Sequence, residues 1–200
     1  MKKKIAALSA MILCMAMVVS GTVAYFTQDD TAVNVITTGG IKIELKEWRN
    51  EERTEEFKNL EGVMPGEKVT KIVTVENKEQ PAYIRARYEI TVTDKDGKTM
   101  QVDAATLAQV VKIDVNDGTG GYWTWHQPNP QKPGWYYYNV AVGTGAVTEP
   151  LFTHVELDGD SMNNDYQGCA VAVNVYTEAV QQANNPAEAG KTYLAAGWAN

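Results

Sequence analysis

The residues most able to carry acid–base or metal chemistry in this 200-residue sequence are its two histidines, His126 and His154. Neither lies in a His-Glu-x-x-His motif, which would place two zinc ligands and a general base on one helix. On a strand, His154 and Glu156 share one face and supply only two ligands, fewer than the three that protein zinc sites use. The alternative for this pair is a solvated strand face. We therefore predict no catalytic residues, no metal and no cofactor, in a protein that is not an enzyme.

A second candidate for metal chemistry is the carboxylate-rich stretch of residues 158–165, whose composition suits calcium. The helical calcium loop requires an oxygen ligand at its fifth position and a later Glu, but Met162 stands fifth here. The alternative is a solvated turn, and the sequence favours it.

Six aromatic residues flank the Pro/Gly-containing loop of residues 127–134, and exposed rings of this kind stack on sugars. They are Trp123, Trp125, Trp135, Tyr136, Tyr137 and Tyr138. On a strand, Tyr136 and Tyr138 face opposite to their neighbours, so at most half of the rings can form one platform. The alternative is that alternate rings belong to the core, because aromatics favour strands. A carbohydrate-binding module is thus the second functional hypothesis.

The elements that must position these residues are mostly strands, since the dominant hydrophobic period is two. Residues 83–92 alternate strictly, and Cys169, Val171, Val173 and Val175 share one face of a second long strand that ends near Gln181. Further strands are predicted over residues 69–76, 135–142 and 150–157, with one helix over 103–111 capped by Asp103. Residues 51–60 form either a surface helix or a loop. The fold class predicted is all-β, a jelly-roll-like antiparallel β-sandwich with one or two short helices.

Charge and cysteine content limit the partners. The chain carries 18 basic and 25 acidic residues, for a net charge of −7, which argues against nucleic acid as a partner. Its two cysteines are too few for a disulfide framework. Removal of the signal peptide predicted below would take away Cys14 and leave Cys169 alone. Cys169 is expected to be a small buried hydrophobic residue, with a reactive thiol as the alternative.

The first 24 residues have the pattern of a signal peptide: lysines at 2–4, an apolar run over 5–19, then small residues over 20–24. Cleavage after Ala24 would make Tyr25 the new N-terminus; the alternative is an uncleaved membrane anchor. Residues 25–200 then form a single β-sandwich domain.

Residues 25–47 are a candidate for exchange between subunits. Two β-prone pieces, residues 32–38 and 41–47, are joined by Gly39 and Gly40. This is either a hairpin with a two-residue turn or a joint that lets the first piece pair with another subunit's sheet edge. In the second case Tyr25 and Phe26 lead the strand, and Val33 and Val35 lie within it; the alternative for the leading pair is a disordered stub.

Four stretches in this order resemble the TasA/camelysin (CalY) family of secreted matrix-fibre proteins, and the signal end is similar to that of members that use a signal peptidase of the SipW type. They are Gly21-Thr22-Val23-Ala24-Tyr25-Phe26-Thr27 with the following residues 29–32 and 40–45; residues 64–69 leading through 75–77 to 82–87; residues 136–138 continuing to 148–152; and residues 175–181 with a closing Ala196-Gly197-Trp198.

The resemblance implies a jelly roll of two antiparallel sheets, export, and self-assembly into biofilm-matrix fibres in which the N-terminal segment of one subunit completes a neighbour's sheet. The expected partners are further copies of the chain and a signal peptidase, with matrix polysaccharide as a further candidate. The expected location is the extracellular matrix or cell surface. Some members are labelled metallopeptidases, but this sequence offers no zinc motif for that label. Whether the chain is a major or a minor matrix component stays open.

Overall fold

Nine antiparallel strands dominate the part of the chain that the structure, a computed structural model, describes: residues 40–118 and 120–198. They are β1 (Ile43–Trp48), β2 (Lys68–Thr70), β3 (Ile72–Asn77), β4 (Ala82–Thr93), β5 (Val111–Val115), β6 (Trp123–His126), β7 (Trp135–Tyr138), β8 (Phe152–Leu157) and β9 (Ala170–Gln181). The strictly alternating residues 83–92 lie in β4, and the second predicted long strand is β9; these are the two longest strands. The predictions for Ala24, Tyr25, Phe26, Val33, Val35 and Gly39 lie outside the described residues.

One α-helix and two short 3-10 helices complete the secondary structure of residues 40–118 and 120–198. Helix α1 spans Ala104–Val110, and the Asp103 side chain caps it by accepting hydrogen bonds from the amides of Ala105 and Thr106, both at 3.0 Å. The 3-10 helices span Asn164–Tyr166 and Thr192–Leu194. Residues 51–60 form a loop, which decides between the two alternatives for that stretch. No helix of the described residues is long and apolar enough to cross a membrane.

The strands form two layers. A four-stranded sheet with the strand order β6-β7-β4-β9 makes the first layer. The second consists of β1-β3 and β2-β8-β5, which are joined because β2 and β3 are consecutive and the Leu151 amide bonds to the Val73 carbonyl at 2.8 Å. Buried side chains from both layers, including Val73, Phe152 and Ile84, meet in one core cluster. The all-β antiparallel sandwich with few helices is confirmed.

Three predicted strand boundaries are wrong. Residues 69–76 are split at Lys71, whose amide bonds to the Thr153 carbonyl at 2.9 Å where the chain changes partner from β8 to β1. The strand predicted over 135–142 ends at Tyr138, because Asn139 turns its side chain back to Thr124 and to the Gly121 carbonyl. That predicted over 150–157 begins at Phe152.

Candidate functional site

The outer edge of β9 is the longest backbone edge of the first layer. β9 pairs with β4 along all twelve residues without a bulge, from Ala82↔Gln181 to Thr93↔Ala170. On the side away from β4, residues 170–175 pair with no other described strand. The strand contains no Lys and no Pro, and its single charged residue, Glu178, is paired with Arg85. Natural edge strands are normally protected by charge, proline, bulges or shortness, and β9 has none of these over residues 170–175.

Gly40 is the one predicted assembly residue within the described part of the chain. It lies in an exposed turn with φ at +73°, a conformation that favours glycine, immediately before the buried Ile41. Ile41 and Ile43 pack in the same core cluster as Val175 of β9. The first described residues therefore belong to the same core cluster as β9.

The six aromatic residues near the 127–134 loop divide between the two faces of the first layer, as strand alternation predicted. Tyr136 and Tyr138 face the sandwich core together with Trp123, which is 1% exposed. Trp125 shares that inner face but is 47% exposed, and its ring lies against Tyr136 and over Gly134. Trp135 and Tyr137 face outward into a separate cluster. The rings do not form one exposed platform.

The outer face of the first layer holds a stack of arginine and aromatic side chains that the sequence analysis missed. The Arg85 guanidinium lies 4.5 Å from the Trp135 ring and 4.8 Å from the Trp198 ring, and it forms an ion pair with Glu178 at 2.5 Å. The Arg87 guanidinium lies 5.2 Å from the same Trp135 ring. The available signal was the two-residue spacing of Arg85 and Arg87 in β4, which puts both on one face.

The C-terminal segment, residues 183–198, covers this outer face. Tyr137, Val180, Ala195 and Trp198 are buried in one cluster with Tyr83. The Trp198 indole N–H donates to the Thr192 carbonyl at 2.8 Å, and Thr192 Oγ1 donates to the Tyr138 carbonyl at 2.7 Å. His126 belongs to the same face, where its ring stacks on Tyr193 with centroids 4.2 Å apart. His126 therefore has a packing role in this structure.

His154 lies on the outer face of the second layer, as the strand pattern predicted. Its Nδ1 is 3.1 Å from Asp114 Oδ2 and 2.8 Å from Thr153 Oγ1. Burial raises the pKa of Asp114, but hydrogen bonds from Thr153 and His154 outweigh that effect and hold this pKa below its ordinary value. The Asp114 partner comes from β5, which the sequence analysis did not predict as a strand.

The loop of residues 158–165 is internally hydrogen-bonded. Asp158 accepts a bond from the Ser161 amide at 2.8 Å and pairs with Lys112, and Asn163 accepts from the Asp165 amide at 2.9 Å. These bonds support the turn interpretation. Cys169 is half-buried, so the expectation of a buried residue is wrong, and it lies one residue before β9. Burial raises the pKa of its thiol, and Asp94 and Asp165 add to the effect.

A sequence model of the family described as camelysin metallo-endopeptidase matches residues 1–121, more than half of the chain. The chain belongs to the camelysin family. No curated protein and no solved structure matches it. Membership confirms the family resemblance and supports, in general terms, a secreted, cell-surface and biofilm-associated protein.

The camelysin description names a metallo-endopeptidase, and the described residues do not fit a metal centre. Across residues 40–118 and 120–198, no three His, Cys, Asp or Glu side chains converge as metal ligands. His154 Nδ1 and Asp114 are hydrogen-bonded to each other. That leaves Nε2 and Glu51 Oε1, which are 3.8 Å apart, and two ligands are too few for zinc. The family description and this donor set disagree, and the expectation of a non-enzyme stays a prediction.

Proposed function

We propose that this chain is a secreted structural subunit that self-assembles into extracellular matrix fibres by donor-strand exchange. Residues 25–38 of one copy would add a strand to the outer edge of β9 in the next. The observation that carries the proposal is the long, regular and unprotected edge of β9. An edge with these properties is a template for strand addition, and a defined strand partner prevents unspecific aggregation.

The dimensions of the two partners agree. Residues 170–175 of β9 extend about 20 Å at strand spacing. The fourteen residues 25–38 are more than enough to pair along this length. In this arrangement Tyr25 and Phe26 lead the strand, Val33 and Val35 supply side chains at period two, and Gly39 and Gly40 are the joint. Each added subunit presents its own β9 edge, so the assembly is a head-to-tail fibre.

Processing must precede assembly, because a strand that enters a neighbour's groove needs a free leading end. We propose cleavage between Ala24 and Tyr25 by a signal peptidase, with residues 25–200 as a single domain. N-terminal sequencing of secreted material should give a start at Tyr25. A start beyond Thr31 would remove the leading residues and contradict the exchange.

Deletion of residues 25–38 tests the assembly step. We expect a folded, secreted monomer with an unchanged β-sheet circular dichroism spectrum and no fibres by electron microscopy. A matched control replaces the same fourteen residues by a Gly/Ser segment of equal length, and it should also fail, because chain length alone does not supply the side chains. Fibres of normal length from either variant would refute the proposal.

Two point substitutions separate an inserted leading end from a disordered stub. Tyr25→Asp with Phe26→Asp puts two charges where apolar side chains would fill pockets, so we expect polymerisation to slow or stop. Unaffected polymerisation in this variant would support the stub and would leave only residues beyond Phe26 as the donor.

A structural role rather than peptidase activity is part of this proposal. Purified secreted protein should show no chelator-sensitive cleavage of peptide substrates in the presence of zinc. Activity that is lost both with a chelator and in His154→Ala would establish an enzyme and overturn this part.

Carbohydrate binding remains the second candidate, supported now by one residue. Trp125 is 47% exposed, whereas Trp123 is buried in the core. Saturable binding to isolated wall polysaccharide that is lost in Trp125→Ala, by a protein that stays monomeric, would favour this role over the fibre subunit.

A further inference from the structure

Residues 49–57, the edge segment, fold back along β1 and cover the end of its outer edge. The Arg49 amide bonds to the Glu55 carbonyl at 2.8 Å, and the Phe57 amide bonds to the Glu47 carbonyl at 2.9 Å. The segment is attached to the rest of the sandwich by few side chains. Phe57 lies under the Lys71 ammonium, whose nitrogen is 4.3 Å from the ring centre, and Arg53 reaches Glu149 at 4.0 Å.

The third attachment runs through His154 and depends on which ring nitrogen carries a proton. Asp114 accepts bonds from the amides of Thr153 at 2.9 Å and His154 at 2.6 Å and from Thr153 Oγ1 at 2.6 Å, so its carboxylate is ionised. An ionised carboxylate only accepts, so the His154 Nδ1 next to it carries the proton. In neutral His154 the other nitrogen, Nε2, is then a bare acceptor.

Glu51 of the edge segment faces that acceptor, with Oε1 3.8 Å from Nε2. Two acceptors at this distance repel when the imidazole is neutral, and they attract once Nε2 is protonated. We infer that His154 is a proton-dependent tether, which strengthens the attachment of the edge segment to the outer face of the second layer when Nε2 is protonated. This inference does not rest on fibre assembly.

Asp114 and Glu51 are the charged groups in contact with the His154 ring, because the neighbouring lysines are directed to other carboxylates. On the same face, Lys68 of β2 and Lys112 of β5 are both paired in register with Glu156 of β8. Lys112 also forms an ion pair with Asp158. Lys71, at the junction of β2 and β3, is turned to Glu47 at 2.8 Å and to Phe57. From β2, the residue opposite His154 is the uncharged Thr70.

Hydrogen–deuterium exchange of the secreted protein tests the tether. Protection factors for residues 49–57, corrected for intrinsic exchange, should be about twofold to fivefold higher at pH 5 than at pH 8, the range of an exposed ion pair. Glu51→Gln should abolish this difference while leaving the fold intact, because the Glu51 side chain is 68% exposed.

Two matched controls remove the same charges elsewhere. Glu52→Gln, one residue along the edge segment, and His126→Gln, on the first layer, should both retain the pH difference. A difference that persists unchanged in Glu51→Gln, or protection that rises with pH in the unmodified protein, would overturn the inference.

Discussion

Replacing Trp198 by alanine tests whether the C-terminal segment is an integral part of the sandwich. Trp198 is 9% exposed, stacks on the Arg85 guanidinium at 4.8 Å and meets the Tyr137 ring edge-on with centroids 5.4 Å apart. Its indole N–H also donates to the Thr192 carbonyl at 2.8 Å. All of these contacts join the C-terminal segment to itself or to the outer face of the first layer.

The expected cost follows from these contacts. Truncating a buried tryptophan to alanine typically costs about 3–5 kcal/mol. Because residues 183–198 contribute no strand to either layer, the C-terminal segment can detach instead of straining the sheet, which limits the cost to its docking free energy. We predict about 3 kcal/mol for Trp198→Ala. Trp198→Phe keeps a ring against Arg85 but loses the indole hydrogen bond, so we predict about 1 kcal/mol.

Urea unfolding followed by circular dichroism measures both variants. Detachment of the segment before global unfolding should also lower the m-value of Trp198→Ala, because less surface is exposed in the main transition. Trp125→Ala is the matched control and should cost less, since Trp125 is 47% exposed. A loss below about 1 kcal/mol in Trp198→Ala, or equal losses in Trp198→Ala and Trp198→Phe, would refute the reasoning.

Three further predictions concern an ion pair, a glycine contact and the net charge. The ion pair with Lys112, aided by bonds from Ser161, lowers the pKa of Asp158 to about 2. The stabilising effect of this carboxylate is therefore fully present above the ordinary pKa of an aspartate and is lost as pH falls through about 2. Lys112→Met should raise the pKa of Asp158 in a carboxyl NMR titration, and an unchanged pKa would contradict the pairing. A Cβ on Gly134 would lie 2.3 Å from the Trp125 ring, so Gly134→Ala should cost about 1–2 kcal/mol in urea unfolding, a cost that disappears in a Trp125→Ala background if this contact is the cause. Fibres should form faster by light scattering at acidic pH or raised salt, because the chain's net charge of −7 becomes three units more negative when the signal lysines are removed; slower assembly under both conditions would argue against charge repulsion.

Local alternation was sufficient to predict the two longest strands, β4 and β9. The pattern of residues 83–92 predicted β4 to within one residue at each end, and Asp103 predicted the start of α1. Both signals are contained in adjacent residues. The strand break at Lys71 was not predictable in this way, because it depends on which distant strand each residue pairs with.

The pairing of functional side chains was equally beyond the sequence. Asp114 and His154 are 40 residues apart and meet only because β5 and β8 are neighbours. The contact of Trp198 with Arg85 depends on the C-terminal segment, which has no periodic pattern. Sequence spacing could place Arg85 and Trp135 on strand faces, but it could not assign those faces to the outside of one layer.

The most direct test of the fibre proposal mixes two defective subunits. The acceptor-only subunit lacks residues 25–38. The donor-only subunit keeps them and carries a proline that blocks the outer edge of β9, at whichever of Ala172 or Val173 has its N–H turned away from β4. The other proline variant is the control, because it loses a β4 hydrogen bond and is expected to lose stability.

The measurement is the mass of the mixture by size-exclusion chromatography with light scattering. Each subunit alone should be a monomer, and an equimolar mixture should give a one-to-one dimer that does not grow, because the only donor segment has entered the only open edge. No dimer in the mixture, or fibres from either subunit alone, would contradict donor-strand exchange at β9.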